Sequence, residues 1–178
     1  MRSSSHKLRD LTVFALLAAT ILALQIVLYG IPGVQFNGLL ISAITVAYGK
    51  RALIPIYVYV LLYCFFYGFV IWNLPYFYIW LPLWGGFMLV SRIKLSKKFK
   101  VPLFMLLSGL FGLSFGALYA PVQAVFFSLN LKQTLAWVIA GFPTDVIHAV
   151  NNFFTGILIV PLSELLIKLD SLNNRSSL

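Results

Sequence analysis

The chain has 178 residues, 61% of them hydrophobic and 10% charged, with a mean hydropathy of +0.97. That mix excludes an ordinary water-soluble domain. Several uncharged runs reach the ~20 apolar residues that a spanning helix needs, so a polytopic, all-α membrane protein is expected. The formal charge of +9 would suit a nucleic-acid partner, but its distribution along the chain argues for membrane topology and no nucleic acid.

The first ten residues, "MRSSSHKLRD", are polar and basic. A signal peptide would also begin this way. No small-residue cleavage site followed by a polar domain appears, so the apolar run 11–29 reads as a retained first helix, ended by "YGIPG". A shorter run, 36–49, stops at Lys50 and Arg51. The next 40 residues, 52–91, hold no charge. As one helix they would reach ~60 Å, about twice the hydrocarbon thickness. The chain must therefore turn, and "WNLPY" at Trp72–Tyr76 supplies Asn and Pro for that turn. Helices over 52–71 and 75–91 follow. Cys64, the single cysteine, lies in this apolar stretch and reads as a buried small hydrophobe.

A basic loop over 92–100, "SRIKLSKKFK" in its setting, precedes a further apolar run, 101–131. It is again long for one span, and "YAPVQ" at Tyr119–Gln123 is the expected break, giving a helix over 101–120. Pro143, a residue favoured in a first helical turn, marks the expected start of the last helix, 143–169. The count is six helices, the second one short, in a single membrane domain over 1–178.

Six crossings would place both termini, the 50–51 turn and the 92–100 loop on one face. That face would hold Arg2, Lys7, Arg9, Lys50, Arg51, Arg92, Lys94, Lys97, Lys98, Lys100, Lys168 and Arg175, twelve of the thirteen basic residues. Only Lys132 would fall opposite. The positive-inside rule then predicts cytoplasmic termini in a multi-pass cell-membrane protein. The other face gathers Trp72, Asn73, Tyr76, Trp80, Trp84, Asn37, Tyr119 and Gln123. These rings and amides suit either an interfacial aromatic belt or the lining of an outward-facing solute pocket.

The segment "GFPTDVIHAVNN" over 141–152 holds the densest polar chemistry. On a helix Asp145, His148 and Asn152 share a face at i, i+3 and i+7, with Asn151 beside them. An ionised Asp at mid-membrane costs ~2.5–3.5 kcal/mol on translocon scales, so it must be paired, capping or near water. Three readings stand. Thr144 and Asp145 cap the N-terminus of the last helix; or the stripe lines a solute site; or Asp145 and His148 relay protons. Glu164, far along the same helix, is expected to pair with Lys168 at i+4. Small residues recur every fourth position at Ala15, Ala19 and Ala23, and at Ser108, Gly112, Gly116 and Ala120, which permits close helix approach within the bundle or against a partner. No phosphate-binding glycine loop and no zinc motif of the H-E-x-x-H type occurs, so no cofactor or metal is expected.

Taken together, "IPIYVYVLLYCFFYG" (54–68), "LPYFYIWLPLWG" (74–85) and the run Phe115–Leu162, "FGALYAPVQAVFFSLNLKQTLAWVIAGFPTDVIHAVNNFFTGILIVPL", resemble the S-components of energy-coupling-factor (ECF) transporters. The resemblance covers nearly the whole chain. It implies a non-enzymatic subunit that binds a water-soluble vitamin from outside, in a pocket closed by the loops between helices 1–2, 3–4 and 5–6. Ala15 and Ala19, with Ala23 in line, would match the motif that docks on a transmembrane T-component. Two cytosolic ATPases would supply energy, and toppling in the bilayer would release the cargo. The rings favour cobalamin slightly over a pyrimidine or pyridine precursor. The alternative is a stand-alone proton-coupled carrier using Asp145 and His148.

Overall fold

The computed structural model describes residues 4–31 and 34–175; Arg2 and the Pro32–Gly33 pair of the first expected break lie outside them. Among the described residues every element is helical: α1 (Ser4–Leu28), α2 (Asn37–Tyr48), α3 (Leu53–Tyr67), α4 (Tyr76–Ser91), α5 (Lys97–Leu113), α6 (Phe115–Phe126), α7 (Leu131–Thr155) and α8 (Ile159–Arg175), with short 3₁₀ turns at Gly49–Ala52, Ile71–Asn73 and Gly156–Leu158. Five helical stretches are long and apolar enough to cross a membrane: Leu8–Leu28, Asn37–Tyr67, Ile71–Ser91, Lys97–Phe126 and Leu131–Leu172.

The second stretch folds back on itself. Asn37 and Tyr59 would lie ~33 Å apart on a straight helix, yet the Asn37 amide donates to the Tyr59 hydroxyl at 3.2 Å. The reversal sits at Gly49, whose φ of 60° lies where a side chain would be strained. The Trp84 indole N–H donates to the Gly49 carbonyl at 3.2 Å and ties α4 to this corner. Beside it, Arg51 pairs with Asp10 at 2.6 Å and lies 5.0 Å from the centre of the Phe14 ring, so α1 and α3 start at the same end of the bundle. At their other ends Tyr29 stacks on Tyr67.

The second half is one long antiparallel helical hairpin, and here the structure departs from the expected boundaries. The break between α5 and α6 falls at Ser114, not at Tyr119–Gln123, and Pro121 lies inside α6. A proline removes one backbone bond and bends a helix without ending it when neighbouring helices hold both sides. Likewise α7 starts at Leu131, twelve residues before Pro143, because Asn130 and Gln133 form a capping box: each side chain bonds the other's backbone N–H. The connection expected to be a long outer loop is therefore helix on both sides of a turn over 127–130. The 92–100 loop is shorter too, since Lys97, Lys98 and Lys100 already belong to α5.

Close approach along this hairpin rests on small residues. A Cβ on Gly112 would stand 2.7 Å from the backbone of His148 and Ala149, one on Gly156 would stand 2.8 Å from the Met105 Cα, and one on Gly116 would overlap the Asp145 carboxylate. Ser108, Gly112, Gly116 and Ala120 are all buried, so this stripe serves packing within the bundle. Ala15, Ala19 and Ala23 are exposed; α1 instead buries Phe14, Ala18 and Ile21. Glu164 reaches across to Lys97 at 2.7 Å rather than pairing with Lys168. Cys64 is buried and free.

Gly112→Ala puts a methyl against backbone that cannot move aside, and overpacking of this kind costs ~1–3 kcal/mol. We expect a clear loss of thermal stability in nanodiscs. Gly85→Ala, where nothing lies within 4 Å of the added methyl, should be neutral or slightly stabilising through helix propensity. Equal effects at the two sites would contradict the seam.

Candidate functional site

Because α7 begins at Leu131, Asp145 lies deep inside the helix and cannot cap its N-terminus. Thr144 is exposed, whereas Asp145 is only 4% exposed. Its Oδ1 accepts the Gly116 N–H at 3.0 Å. Gly116 is the second residue of α6, just past the break at Ser114, so its N–H has no partner within its own helix. The carboxylate caps a neighbouring helix, where the positive end of the dipole also favours it.

The rest of the stripe faces the connection between α1 and α2. His148 is half-buried, meets the Phe115 ring edge-on at 5.3 Å, and its Nδ1 is buried without a hydrogen-bond partner. It lines a pocket of about 240 Å³ together with Gln25, Leu28, Tyr29, Ile31, Val34 and Gln35. Asn151 donates to the Gln35 carbonyl at 2.6 Å and so fastens this connection to α7. Asn152 is buried against Gly38, where an added Cβ would come within 3.0 Å of its Oδ1.

Inward of the pocket stands a cluster of rings. Tyr76 stacks on Tyr63 with centroids 4.6 Å apart, and Trp80 meets Tyr76 at 5.7 Å, Tyr59 at 6.1 Å and Phe111 at 5.9 Å. Tyr119 stacks on Phe115 and meets Tyr76 edge-on. The Tyr59 hydroxyl donates to Gln25 Oε1 at 2.5 Å while accepting from Asn37. The pocket wall and the cluster therefore share hydrogen bonds. Asn37 Oδ1 and Trp80 Nε1 are buried without partners, as are both polar atoms of the Gln123 amide. An orphaned buried group of this kind costs ~1–3 kcal/mol.

Asp145, His148, Asn151, Asn152, Asn37, Tyr76, Trp80 and Tyr119 thus come together, whereas Trp84, Asn73 and Trp72 do not. Trp84 points to the Gly49 corner at the far end. Asn73 closes the turn between α3 and α4 by donating to the Gly68 carbonyl at 2.6 Å. Trp72 is exposed; its carbonyl accepts the Tyr119 hydroxyl and its ring leans on Phe127. Gln123, buried with its amide unpaired, lies one turn beyond Tyr119 on α6. Sequence reading missed Gln25, Gln35, Tyr59, Tyr63 and Phe115. Gln25 carried a usable signal, being an amide inside an apolar run; the rings did not, because rings are plentiful throughout. Among the described residues no group of His, Cys, Asp or Glu could hold a metal ion.

Asp145→Ala removes the acceptor for Gly116 and should cost ~1–2 kcal/mol, as loss of a helix cap does. Asp145→Asn keeps an acceptor oxygen and should recover most of the stability in a thermal melt. If the two variants melted alike, the cap would not be what Asp145 contributes.

No family model, no curated protein and no solved structure matches the chain.

Proposed function

We propose that this chain is the solute-capturing membrane subunit of an importer whose energy comes from separate ATPases, as in the S-components of ECF transporters. The observation that carries the reading is the pocket of about 240 Å³ beside His148, which lies at the end of the bundle away from Asp10, Arg51, Lys97 and Glu164. Basic residues at one end and a polar pocket at the other fit a binder that faces outward with its charged loops in the cytoplasm. On this reading α1, α2, α3, α4, α5–α6 and α7–α8 are six passes with both termini inside, and the α7–α8 stretch of 42 residues, ~63 Å if straight, extends well past the hydrocarbon. The α2 pass, at 12 residues or ~18 Å, spans only part of the hydrocarbon.

The exposed Ala15, Ala19 and Ala23 would offer α1 to a T-component, with Ala18 and Ile21 holding the helix from behind. Toppling on that partner would carry the solute across. Pocket size favours a small heterocycle, such as a pyrimidine or pyridine precursor, over cobalamin, which is far larger than this space. A proton-coupled carrier remains the second reading, supported by a buried carboxylate and a half-buried imidazole one turn apart on α7.

Calorimetry of the purified chain in nanodiscs against a panel of water-soluble vitamins and precursors tests this directly. One tight 1:1 binder, weakened at least tenfold by His148→Ala, is the expected result. Proton movement by the chain alone in liposomes, with no vitamin bound, would favour the carrier instead. A second check uses Ala19→Leu: it should leave folding and solute binding unchanged while abolishing co-purification with a T-component, because its side chain points away from the bundle.

A further inference from the structure

A second opening lies between α1 and α8. Two cavities there, of about 230 and 180 Å³, have α2 behind them and share Leu17, Thr20 and Leu166, so together they form one slot. Its walls come from 13–21 of α1, 40–48 of α2 and 162–170 of α8, a length of ~12 Å on each helix. Ile21, Ala43 and Ile44 are buried at its back, whereas Leu16, Leu165 and Leu169 are exposed along its rim. The slot therefore opens sideways into lipid.

Polarity is confined to one end. The deeper cavity is lined by Leu, Ile and Ala apart from Thr20, whose hydroxyl donates to the Leu16 carbonyl of its own helix at 2.8 Å. The shallower cavity ends at Tyr48 and Asp170. The Tyr48 ring meets Phe14 edge-on at 5.3 Å, and Arg51 lies 5.0 Å from the centre of that same Phe14 ring while pairing with Asp10. The mouth thus carries charges of both signs, at the end of the bundle where basic residues mark the level of lipid headgroups.

Length and polarity fit a lipid better than a partner helix. One leaflet holds about 15 Å of hydrocarbon, half of a core of ~30 Å, and the slot runs ~12 Å inward from its charged mouth. A helix is ~10–12 Å across with its side chains and would have to push α1 and α8 apart; a single acyl chain is far thinner. The apolar groove of about 270 Å³ between α5 and α7 has no polar side chain in its lining, so it offers nothing to a headgroup.

We propose that the slot seats one acyl chain of a zwitterionic phospholipid from the leaflet at the basic end, with the phosphate toward Arg51 and the ammonium toward Asp170. The chain fills space that side chains leave between α1 and α8. This site lies at the opposite end of the bundle from the His148 pocket and does not depend on the solute reading.

Native mass spectrometry of the full chain tests the assignment, with palmitoyl-oleoyl phosphatidylethanolamine or phosphatidylglycerol added to the detergent-purified protein. One phosphatidylethanolamine should survive activation that strips the remaining lipid, about fivefold more abundantly than phosphatidylglycerol, and Asp170→Asn should narrow that preference. Thr20→Trp and Leu165→Trp fill the slot from exposed positions on its two sides. Each should lower retention about fivefold while the helical circular-dichroism signal stays at wild type. Leu110→Trp, which fills the α5–α7 groove instead, should leave retention unchanged. On the wild-type chain, phosphatidylethanolamine with a mid-chain diazirine should label 13–21, 40–48 or 162–170. Equal retention of the two lipids would overturn the headgroup assignment. Retention that both rim variants leave intact, or labelling concentrated on α5 and α7, would overturn the slot itself. So would a dimer that the rim variants abolish with no lipid retained, since a second copy would then be the occupant.

Discussion

The close packing of α5 and α6 against α7 is the constraint on which the rest of the molecule depends. Helices in lipid gain little from hydrophobic burial and associate through contact area and hydrogen bonds. Here Gly109 lies against Phe153, Gly112 against His148 and Ala149, Gly116 against Asp145, and Gly156 against Met105. Each step of three or four residues along α5–α6 is matched by a step of about one turn back along α7 and the 3₁₀ turn that follows it, so the register is fixed along the pair. That register brings the carboxylate to the one place where α5–α6 is broken and a backbone N–H is free. A break in a membrane helix without such a partner would leave polar backbone in hydrocarbon; an Asp without such a partner would be a buried charge. The two costs cancel only in this alignment.

His148, Asn151 and Asn152 at the proposed site hang from the same helix. With α7 set against the seam, Asn151 reaches the Gln35 carbonyl and Asn152 fills the space that Gly38 leaves, so the connection between α1 and α2 is drawn over His148. The rings follow. Phe115, first residue of α6, lies under His148 because the break at Ser114 starts a new helix there, and Tyr119 one turn on reaches Tyr76 and the Trp72 carbonyl. Shifting the seam by one turn would separate His148 from Phe115 and Asn151 from Gln35 at once.

Composition makes an all-helical chain with several stretches of membrane-spanning length legible in the sequence. Hydrocarbon-length runs carry their own signal, and the turn near Trp72–Tyr76 and the corner at Lys50–Arg51 were marked by Asn, Pro and paired cations. Helix boundaries in the second half were not read, for an identifiable reason. Proline marks a helix end less reliably than local hydrogen bonding does: Pro121 and Pro143 lie inside helices, and the Asn130–Gln133 box sets the start of α7. The stripe from Asp145 to Asn152 was legible as one face, since helical spacing alone puts those residues together. What each of them touches was not, because Gly116, Gln35 and Gly38 come from distant parts of the chain. Nor could the sequence say whether Trp84 or Trp80 faces the cluster. On a helix that is apolar all round, periodicity carries no inside or outside.

The distribution of buried polar atoms also bears on how a solute could leave. From Asn152 toward the basic end, the buried core is Phe104, Phe87, Ile159 and their neighbours. Of the buried hydroxyls there, Thr45 and Ser163 bond carbonyls of their own helices, and Ser42 and Ser108 stand alone. Among the described residues no chain of hydrogen bonds links His148 to the Lys97–Glu164 end. A proton or solute that hops between sites needs such a chain or a water-filled path, and the floor offers neither, since even its cavity between α1, α2 and α8 is lined almost wholly by Leu, Ile and Ala. On the proposed reading, then, a bound molecule is released by moving the helices that hold it, either by unpacking the roof from α7 or by reorienting the whole bundle against a partner. The second route leaves the seam intact, and the seam is what makes the site.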